Sequence, residues 1–274
     1  MRAVENDSYS KGSSDYSVTE LLKPPRATAL EKLHKDKLSD DVEDRLWSLY
    51  GQIVHTILER ANEADLVEKR FFADFGGKTV SAQVDSLSLK DGILTDWKFT
   101  TSWSFKPGKP PKPDYVAQLN MQLELLRRNG LDAQSLRIVG LLRDWSIMEA
   151  NRTDDYPKKG VAVQPIEMWS RDRTTAFIEQ RIAMHEAARA AKSDDELPLC
   201  DKEDRWAKDD TWAVVKGDRA IRFGVCFSEQ QAKEIHSKNP GTQIQFRAGV
   251  STKCELYCSV SDYCSQFKKS KGGK

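Results

Sequence analysis

The sequence predicts an α/β fold that carries a cysteine-containing subdomain at its C-terminal end. Residues 78–89 are rich in β-branched and apolar side chains that partly alternate with polar ones, and residues 93–99 form a second such run. The Lys-Asp-Gly break between them, at 90–92, is typical of a hairpin turn. Apolar residues recur at helical spacing in 46–61 before the hairpin and in 114–129 after it. Three of the five cysteines lie close together near the C-terminus.

Two acids and a lysine are the notable residues of the predicted hairpin. Asp85 lies on the first strand, Asp96 follows on the second, and Lys98 lies two positions further, on the same face as Asp96. Facing positions would bring the two carboxylates close together, where they repel each other unless a divalent cation neutralises them. This set predicts magnesium or manganese and metal-assisted hydrolysis of a phosphodiester. For the motif alone, the alternative is two solvated acids and a lysine extended along the surface.

A helix is predicted on each side of the hairpin, and each carries a polar residue of interest. His55 lies beside the apolar stripe of helix 46–61, where a lone histidine is usually structural. Helix 114–129 follows a proline-rich stretch, and Gln118 lies in its first turns.

The order of these residues resembles the RecB-type branch of the PD-(D/E)XK nuclease superfamily. That pattern has a helical histidine, an aspartate on one strand, an acid and a lysine on the next, and a helix that opens with glutamine. In this chain the matching residues are His55, Asp85, Asp96 with Lys98, and Gln118. The resemblance covers about residues 17–145 and implies a restriction-endonuclease-like core, in which a mixed central sheet is flanked by helices.

The resemblance also implies a role for each residue. His55, Asp85, Asp96 and the backbone carbonyl of Trp97 would bind Mg²⁺ or Mn²⁺, and Asp85 and Asp96 count with Lys98 as catalytic. Lys98 would orient the attacking water and balance charge on the phosphate. The glutamine helix would contact substrate through Gln118 and Gln122. Many relatives have a tyrosine at the position of Gln122.

The cysteines form a second signal, at positions 200, 226, 254, 258 and 264. An odd number of cysteines with no secretory segment makes a disulfide framework the weaker explanation. Closely spaced thiolates with one distant partner suit zinc or an iron-sulfur cluster, and the spacing does not choose between them. An irregular loop favours Cys200 over Cys226, which lies in a predicted strand, as the distant partner. Five reduced structural cysteines are the remaining alternative.

The cysteine-rich tail resembles the iron-sulfur class of RecB-type nucleases, in which a C-terminal cysteine trio and one earlier cysteine hold a [4Fe-4S] cluster. The resemblance implies Cys200, Cys254, Cys258 and Cys264 as ligands, with Zn²⁺ as the alternative. Here three residues separate the first pair of the trio, whereas the relatives more often have two.

Composition predicts a soluble, intracellular protein. The 274 residues are 39% hydrophobic and contain no apolar run long enough to span a membrane. The 43 basic and 42 acidic residues give a net charge of +1, so nucleic-acid binding would depend on local patches. Lys106, Lys109 and Lys112 form one such patch.

The segment between the hairpin and the glutamine helix holds further candidates for substrate contact. Trp97, Trp103 and Phe105 would suit stacking on unpaired bases, although core packing is the stronger interpretation for Trp97. The proline-rich stretch up to Pro113 is a candidate mobile flap.

Four regions are predicted along the chain. They are a flexible N-terminus (1–16), a RecB-like nuclease core (17–195), a C-terminal subdomain with the cysteine cluster (196–267), and a basic tail (268–274).

The predicted function is a metal-dependent DNA nuclease of the cytoplasm of a bacterial or phage-infected cell. It would be an exonuclease that acts on single-stranded or unwound DNA ends in recombination, repair or phage replication, with a possible helicase or recombination partner. The alternatives are a nuclease for RNA or DNA junctions and a non-catalytic DNA-binding subunit. A binding subunit should have lost a metal acid or the lysine, and this chain retains them.

Overall fold

The computed structural model describes residues 12–38, 49–57 and 65–272 of the chain. These residues form a mixed α/β structure with a six-stranded mixed sheet and a separate three-stranded antiparallel sheet, which confirms the predicted class. No helix within those ranges combines the length and apolar character that a membrane span requires.

The chain divides into two compact units, and the division differs from the predicted boundaries. The first unit comprises Met1–Lys23 and Ser39–Glu186, and the second comprises Pro24–Leu38 and Ala187–Lys274. The segment Pro24–Leu38 belongs with the C-terminal part of the chain because Leu30 is buried in the apolar core of the second unit.

Nine strands are described. In chain order they are β1 (Tyr16–Ser17), β2 (Leu66–Phe75), β3 (Lys78–Ser88), β4 (Ile93–Thr100), β5 (Ser135–Leu142), β6 (Val161–Ile166), β7 (Thr211–Lys216), β8 (Arg219–Cys226) and β9 (Gln243–Arg247). The sheet of the first unit runs β1-β3-β4-β5-β6, and β2 also pairs with β3. The β1–β3 and β4–β5 pairs are parallel, and the other pairs are antiparallel.

Nine α-helices accompany the strands in the described ranges. They are α1 (Val18–Leu22), α2 (Pro25–Leu33), α3 (49–57), α4 (Pro113–Arg128), α5 (Ile147–Arg152), α6 (Arg171–Ala190), α7 (Glu229–Ser237), α8 (Thr252–Leu256) and α9 (Ser265–Gly272). The predicted hairpin and the glutamine helix are confirmed as β3–β4 and α4. Of the predicted helix 46–61, the described part is helical, and its two ends lie outside the described residues.

Helix α4 is the central packing element of the first unit. Leu119 and Leu123 join one apolar cluster with residues of β4 and β5, whereas Met121 and Leu125 join another with residues of β1 and β3. Each fully buried side chain of this size contributes about 2 kcal/mol of transfer free energy. Burial on both sides fixes the rotation of α4 about its axis, and hence the direction of its polar residues.

Tyr16 lies at the end of the predicted flexible N-terminus (1–16) and belongs to the fold. Residues 1–11 lie outside the described residues, but Tyr16 is fully buried and pairs with Val80 of β3. The Tyr16 hydroxyl also donates a hydrogen bond to Glu186. Burial of a large ring with a satisfied hydroxyl makes Tyr16 a core residue, which corrects the predicted end at position 16.

The second unit contains the sheet β8-β7-β9 and helix α7. The predicted basic tail is partly helical, since α9 extends to Gly272, and Lys269 lies 2.7 Å from Asp195.

Candidate functional site

Strands β3 and β4 bring the two predicted aspartates to facing positions. The register pairs Ser86 with Thr95, and one further step places Asp85 opposite Asp96. The backbone N–H of Trp97 donates to Asp85 Oδ2 at 2.8 Å, which fixes the Asp85 carboxylate against β4. Both side chains are largely withdrawn from solvent, with exposures of 11% for Asp85 and 1% for Asp96.

Lys98 lies on the same face as Asp96, as the strand periodicity predicts. Its Nζ is 2.6 Å from Asp96 Oδ2 and donates to Gln118 Oε1 at 3.1 Å. Gln118 Nε2 in turn donates to Asp96 Oδ1 at 2.7 Å. The amide of Gln118 therefore joins the lysine and the aspartate in a closed triangle, held by the buried helix α4.

His55 completes the set from helix α3 and brings in a residue that the sequence did not predict. Its Nδ1 lies 2.9 Å from Glu68 Oε1 and 3.8 Å from Asp85 Oδ2. One donor atom from each of these three residues lies within 4.8 Å of the other two. One nitrogen and two carboxylate oxygens at this spacing can bind a divalent cation.

Glu68 reaches the site from β2 through an unusual backbone conformation. Its φ of 48° lies in the left-handed region, which non-glycine residues rarely adopt. Gln83 Nε2 donates to Glu68 Oε2 at 2.6 Å and holds the carboxylate toward His55. A lone acid in a strand that pairs with the Asp85 strand is a weak signal, and the pattern alone would not select it.

Burial and like charge perturb the ionisation of Asp85. Loss of solvent raises the pKa of Asp85 first, and the neighbouring Asp96 raises it further. His55, Lys98 and the Trp97 N–H partly offset this, and the resulting pKa is about 7. In the metal-free protein Asp85 therefore holds a proton at slightly acidic pH, and bound cation and proton compete for it.

Lys98 and His55 keep their protons more strongly than usual. Burial alone would lower the pKa of Lys98, but the Asp96 and Asp85 charges and the contact with Asp96 outweigh it and raise the pKa. The hydrogen bond to Glu68 is the main reason that the pKa of His55 is raised, against the opposing effect of burial. The pKa of Glu68 is lowered, because its bonds to His55 and Gln83 outweigh its own burial.

Two residues predicted to face substrate do not do so. Gln122 is only 2% exposed and donates to the Gln83 carbonyl at 3.1 Å, because α4 carries it over β3 one turn beyond Gln118. Phe105 is buried against Gly140, where a Cβ would come within 2.5 Å of the ring. These positions correct the expectation of a substrate contact for both residues. Trp97 is half-buried, and Trp103 is exposed.

The four cysteines predicted as cluster ligands line one cavity of about 30 Å³ in the second unit. They are Cys200, Cys254, Cys258 and Cys264, all free thiols. Cys226 lies elsewhere, in the apolar core of the three-stranded sheet. Burial is the main reason that the thiol pKa of Cys200 is raised to about 12, and burial also raises those of Cys254 and Cys258.

Cys200 is fixed to helix α9 by a reciprocal pair of hydrogen bonds. Its N–H donates to Gln266 Oε1 at 2.9 Å, and Gln266 Nε2 donates to its carbonyl at 2.8 Å. This contact holds the distant cysteine beside Cys264, which directly precedes α9.

Arg26 of helix α2 is buried beside the cysteine cavity, with 1% of its surface exposed. Its Nε donates to Cys264 Sγ at 3.2 Å, and its Nη1 donates to the Leu197 carbonyl at 3.1 Å. Nη2 contacts Asp194 and donates to Ser265 Oγ at 2.9 Å. The guanidinium thus satisfies its donors within the second unit and orders the loop on each side of the cavity.

No protein-family model matches the chain, and no curated protein is similar to it. Among solved structures, it is similar to SSO0001, with 18% identity over 66% of this chain and 81% of that chain and a TM-score of 0.43. It is also similar to a "Putative exonuclease" from Eubacterium rectale, with 12% identity over 80% of this chain and 93% of that chain and a TM-score of 0.45.

Proposed function

We propose that this protein is a metal-dependent nuclease with a PD-(D/E)XK-type core, which hydrolyses DNA with Mg²⁺ or Mn²⁺. The observation that carries the proposal is the convergence of His55, Glu68 and Asp85, whose donor atoms lie within 4.8 Å of one another. The Lys98–Asp96 pair borders this group, because Asp85 and Asp96 face each other across β3 and β4.

The donor set fits the proposed cation. Carboxylate oxygens suit Mg²⁺ and Mn²⁺, and one imidazole is more typical of a transition metal, which favours Mn²⁺ of the two. Asp96 and the carbonyl of Trp97 would add oxygen ligands from β4. When bound, such a cation supplies a Lewis acid that lowers the pKa of water and stabilises negative charge on phosphate oxygens.

The chain's own residues would supply the remaining chemistry. The Lys98 ammonium, held by Gln118 at 3.1 Å, is positioned to donate to an attacking water or to a phosphate oxygen. Its raised pKa keeps it charged at neutral pH. Glu68, Asp85 and Asp96 bring carboxylates to the same site, so a phosphate can approach only when their negative charge is neutralised.

For the second unit we propose a [4Fe-4S] cluster held by Cys200, Cys254, Cys258 and Cys264. The observation that supports this proposal is that all four cysteines line one cavity. Four thiolates around one cavity suit a cubane cluster, with Zn²⁺ as the alternative ligand of the same set. The hydrogen bond from Arg26 to Cys264 is of the kind that tunes cluster sulfurs.

The test of the nuclease proposal is degradation of end-labelled single-stranded and duplex DNA by anaerobically purified protein with Mg²⁺ or Mn²⁺. We expect cleavage that requires the metal, and Lys98→Ala should lower turnover by about a hundredfold or more without loss of folding. Lys78→Ala is a matched control. Lys78 lies on β3 of the same sheet, and its ammonium also pairs with an acid, Glu186, at 2.9 Å.

The position of the surviving label would give the polarity of the exonuclease. Near-normal turnover in Lys98→Ala would remove Lys98 from the mechanism. No cleavage of either DNA, with RNA degraded instead, would contradict DNA as the substrate.

A further inference from the structure

An exposed tryptophan follows strand β4 directly, on a short 3-10 turn at Ser102–Phe105. Trp103 is 62% exposed, whereas Ser102, Ser104 and Phe105 on either side of it are buried. The outward indole therefore leaves an aromatic face available to a ligand, and its neighbours decide which ligand suits it.

The turn that carries Trp103 is anchored at both ends. The Ser102 backbone N–H and hydroxyl both donate to Asp144 Oδ1, at 2.6 and 2.7 Å. Phe105 packs against Gly140 of β5. The outward direction of the Trp103 ring is therefore set by the fold and does not depend on a loose loop.

Three lysines accompany the ring. Lys109 Nζ lies over the Trp103 ring and donates to the Trp103 carbonyl at 3.2 Å. The Lys109 backbone is fixed on both sides, since its N–H donates to Lys106 and its carbonyl accepts from Gln164 Nε2, each at 3.0 Å. Partial burial and then the charges of Lys112 and Lys106 lower the pKa of Lys109, as expected for clustered cations. Lys106 pairs with Asp155 at 2.7 Å.

Tyr115 connects this cluster to the candidate active site. The Lys112 ammonium lies 5.1 Å from the centre of the Tyr115 ring, and the Lys98 ammonium lies 5.6 Å from it. Cations and aromatic rings therefore form a continuous track from Lys98 through Tyr115 and Lys112 to Lys109 and Trp103. We call residues Trp103, Lys109, Lys112 and Tyr115 the Trp103 track.

We infer that the Trp103 track binds an unpaired nucleic-acid strand, with a base stacked on Trp103 and backbone phosphates paired with Lys109 and Lys112. This inference rests on the proposed function, because the track would lead the strand to Lys98. An aromatic face stacks on any base, but only where the base is not covered by its neighbours, so the track favours single strands over duplex. The alternative partner, an acidic protein, would pair with the lysines but would not need to stack on the indole face.

The test is the affinity for fluorescent 20-nucleotide oligothymidylate and oligouridylate, measured by polarisation with a chelator present so that no cleavage occurs. Trp103→Ala should weaken single-strand binding by about tenfold, and Trp103→Phe should restore most of it. Duplex binding should be unchanged. Lys109→Gln should lower the slope of log affinity against log salt by about 0.7, the value for one phosphate contact on a single strand.

A matched control is Phe223→Ala in the second unit, where an 81% exposed ring also has a cation over it, from Arg222. Wild-type affinity in this control together with loss in Trp103→Ala supports the inference, whether with DNA, RNA or both. Equal affinity of Trp103→Ala and wild type for both polymers overturns it, and so does an equal loss for duplex and single strand. Absence of metal-dependent cleavage with intact, Trp103-dependent binding would refute only the proposed nuclease function.

Discussion

The two candidate metal sites differ in how far their charges are balanced before any metal binds. In the carboxylate site, Asp96 already contacts Lys98, and the His55 imidazole lies between Glu68 and Asp85. In the cysteine site, burial raises the thiol pKa values of Cys200, Cys254 and Cys258, so the ligands stay protonated and neutral. The first site is a formed polar network, whereas the second requires its cofactor to deprotonate the sulfurs.

The difference implies different consequences of cofactor loss. Removing a divalent cation should leave the carboxylate site folded, because its members satisfy one another. Removing the proposed cluster should leave four thiols around a cavity that only the short helices α2, α8 and α9 and their connecting loops enclose, so the loss should loosen this part of the second unit. Three experiments would sharpen or break this comparison.

The largest expected effect is on the second unit. If the proposed cluster is bound, Cys258→Ser should abolish visible absorption of the anaerobic protein and expose the second unit to proteolysis, because binding of a structural metal group is coupled to folding and contributes on the order of 10 kcal/mol. The measurement is the absorption spectrum with limited proteolysis followed by mass spectrometry. Cys226→Ala is the control and should keep the colour, since Cys226 lies in a different core. A colourless wild type that contains zinc would refute the cluster.

A smaller loss is expected when the buried arginine beside the cysteines is changed. Arg26→Met removes the donors to Cys264, Leu197 and Ser265 and breaks the buried ion pair with Asp194, which keeps only the Ser265 N–H, and this should cost about 3–5 kcal/mol. Chemical unfolding of the second unit, followed by cluster absorption, measures this loss. Arg152→Met, at a 76% exposed arginine, should have little effect. Unchanged stability of Arg26→Met would show that packing, and not the guanidinium, orders the cavity.

The smallest expected effect is a pH-dependent one at the carboxylate site. The pKa of Asp85 is about 7 in the folded metal-free protein and about 4 in an unfolded chain. At pH values between these two pKa values, the folded state keeps a proton on Asp85 that the unfolded chain has released. The stability that this proton gives to the folded state is therefore lost as pH rises through about 7. Asp85→Asn should stabilise the metal-free protein more at pH 8 than at pH 5, by on the order of 2–3 kcal/mol, because most of this pKa difference is crossed between the two pH values.

Thermal and denaturant unfolding in a chelator at the two pH values measures this difference. Asp91→Asn, at an exposed acid of the hairpin turn, is the control. In wild-type protein, calorimetry should show Mn²⁺ binding that strengthens as pH rises through about 7 and then levels off. A gain for Asp85→Asn that is equal at both pH values would contradict the assigned pKa.

Local periodicity predicted the hairpin and the residues that face along it. Asp85, Asp96 and Lys98 lie as strand parity requires, and Gln118 reaches them because both sides of α4 are buried. Glu68 could not be predicted in this way, because its direction depends on a positive φ and on pairing between β2 and β3.

Two errors have a common physical cause. Gln122 and Phe105 have residue types that suit a surface contact. In the fold, however, β3 covers Gln122, and Phe105 fills the space beside Gly140. Contacts between elements that are distant in the chain create such buried space, so the local sequence does not predict it. The second unit's inclusion of Pro24–Leu38 was missed for the same reason, since Leu30 packs with residues near the C-terminus.

The bond between Arg26 and Cys264 spans 238 residues and has a consequence for synthesis on the ribosome. The arginine emerges early, and its sulfur partner emerges after about 10 to 50 s of further elongation at about 5–20 residues per second. All of Ser39–Glu186 is made in that interval, so the first unit can complete its sheet while Pro24–Leu38 waits. The unit with the cysteines would then be the last to form, and the proposed cofactor would be inserted into a chain whose first unit is already folded.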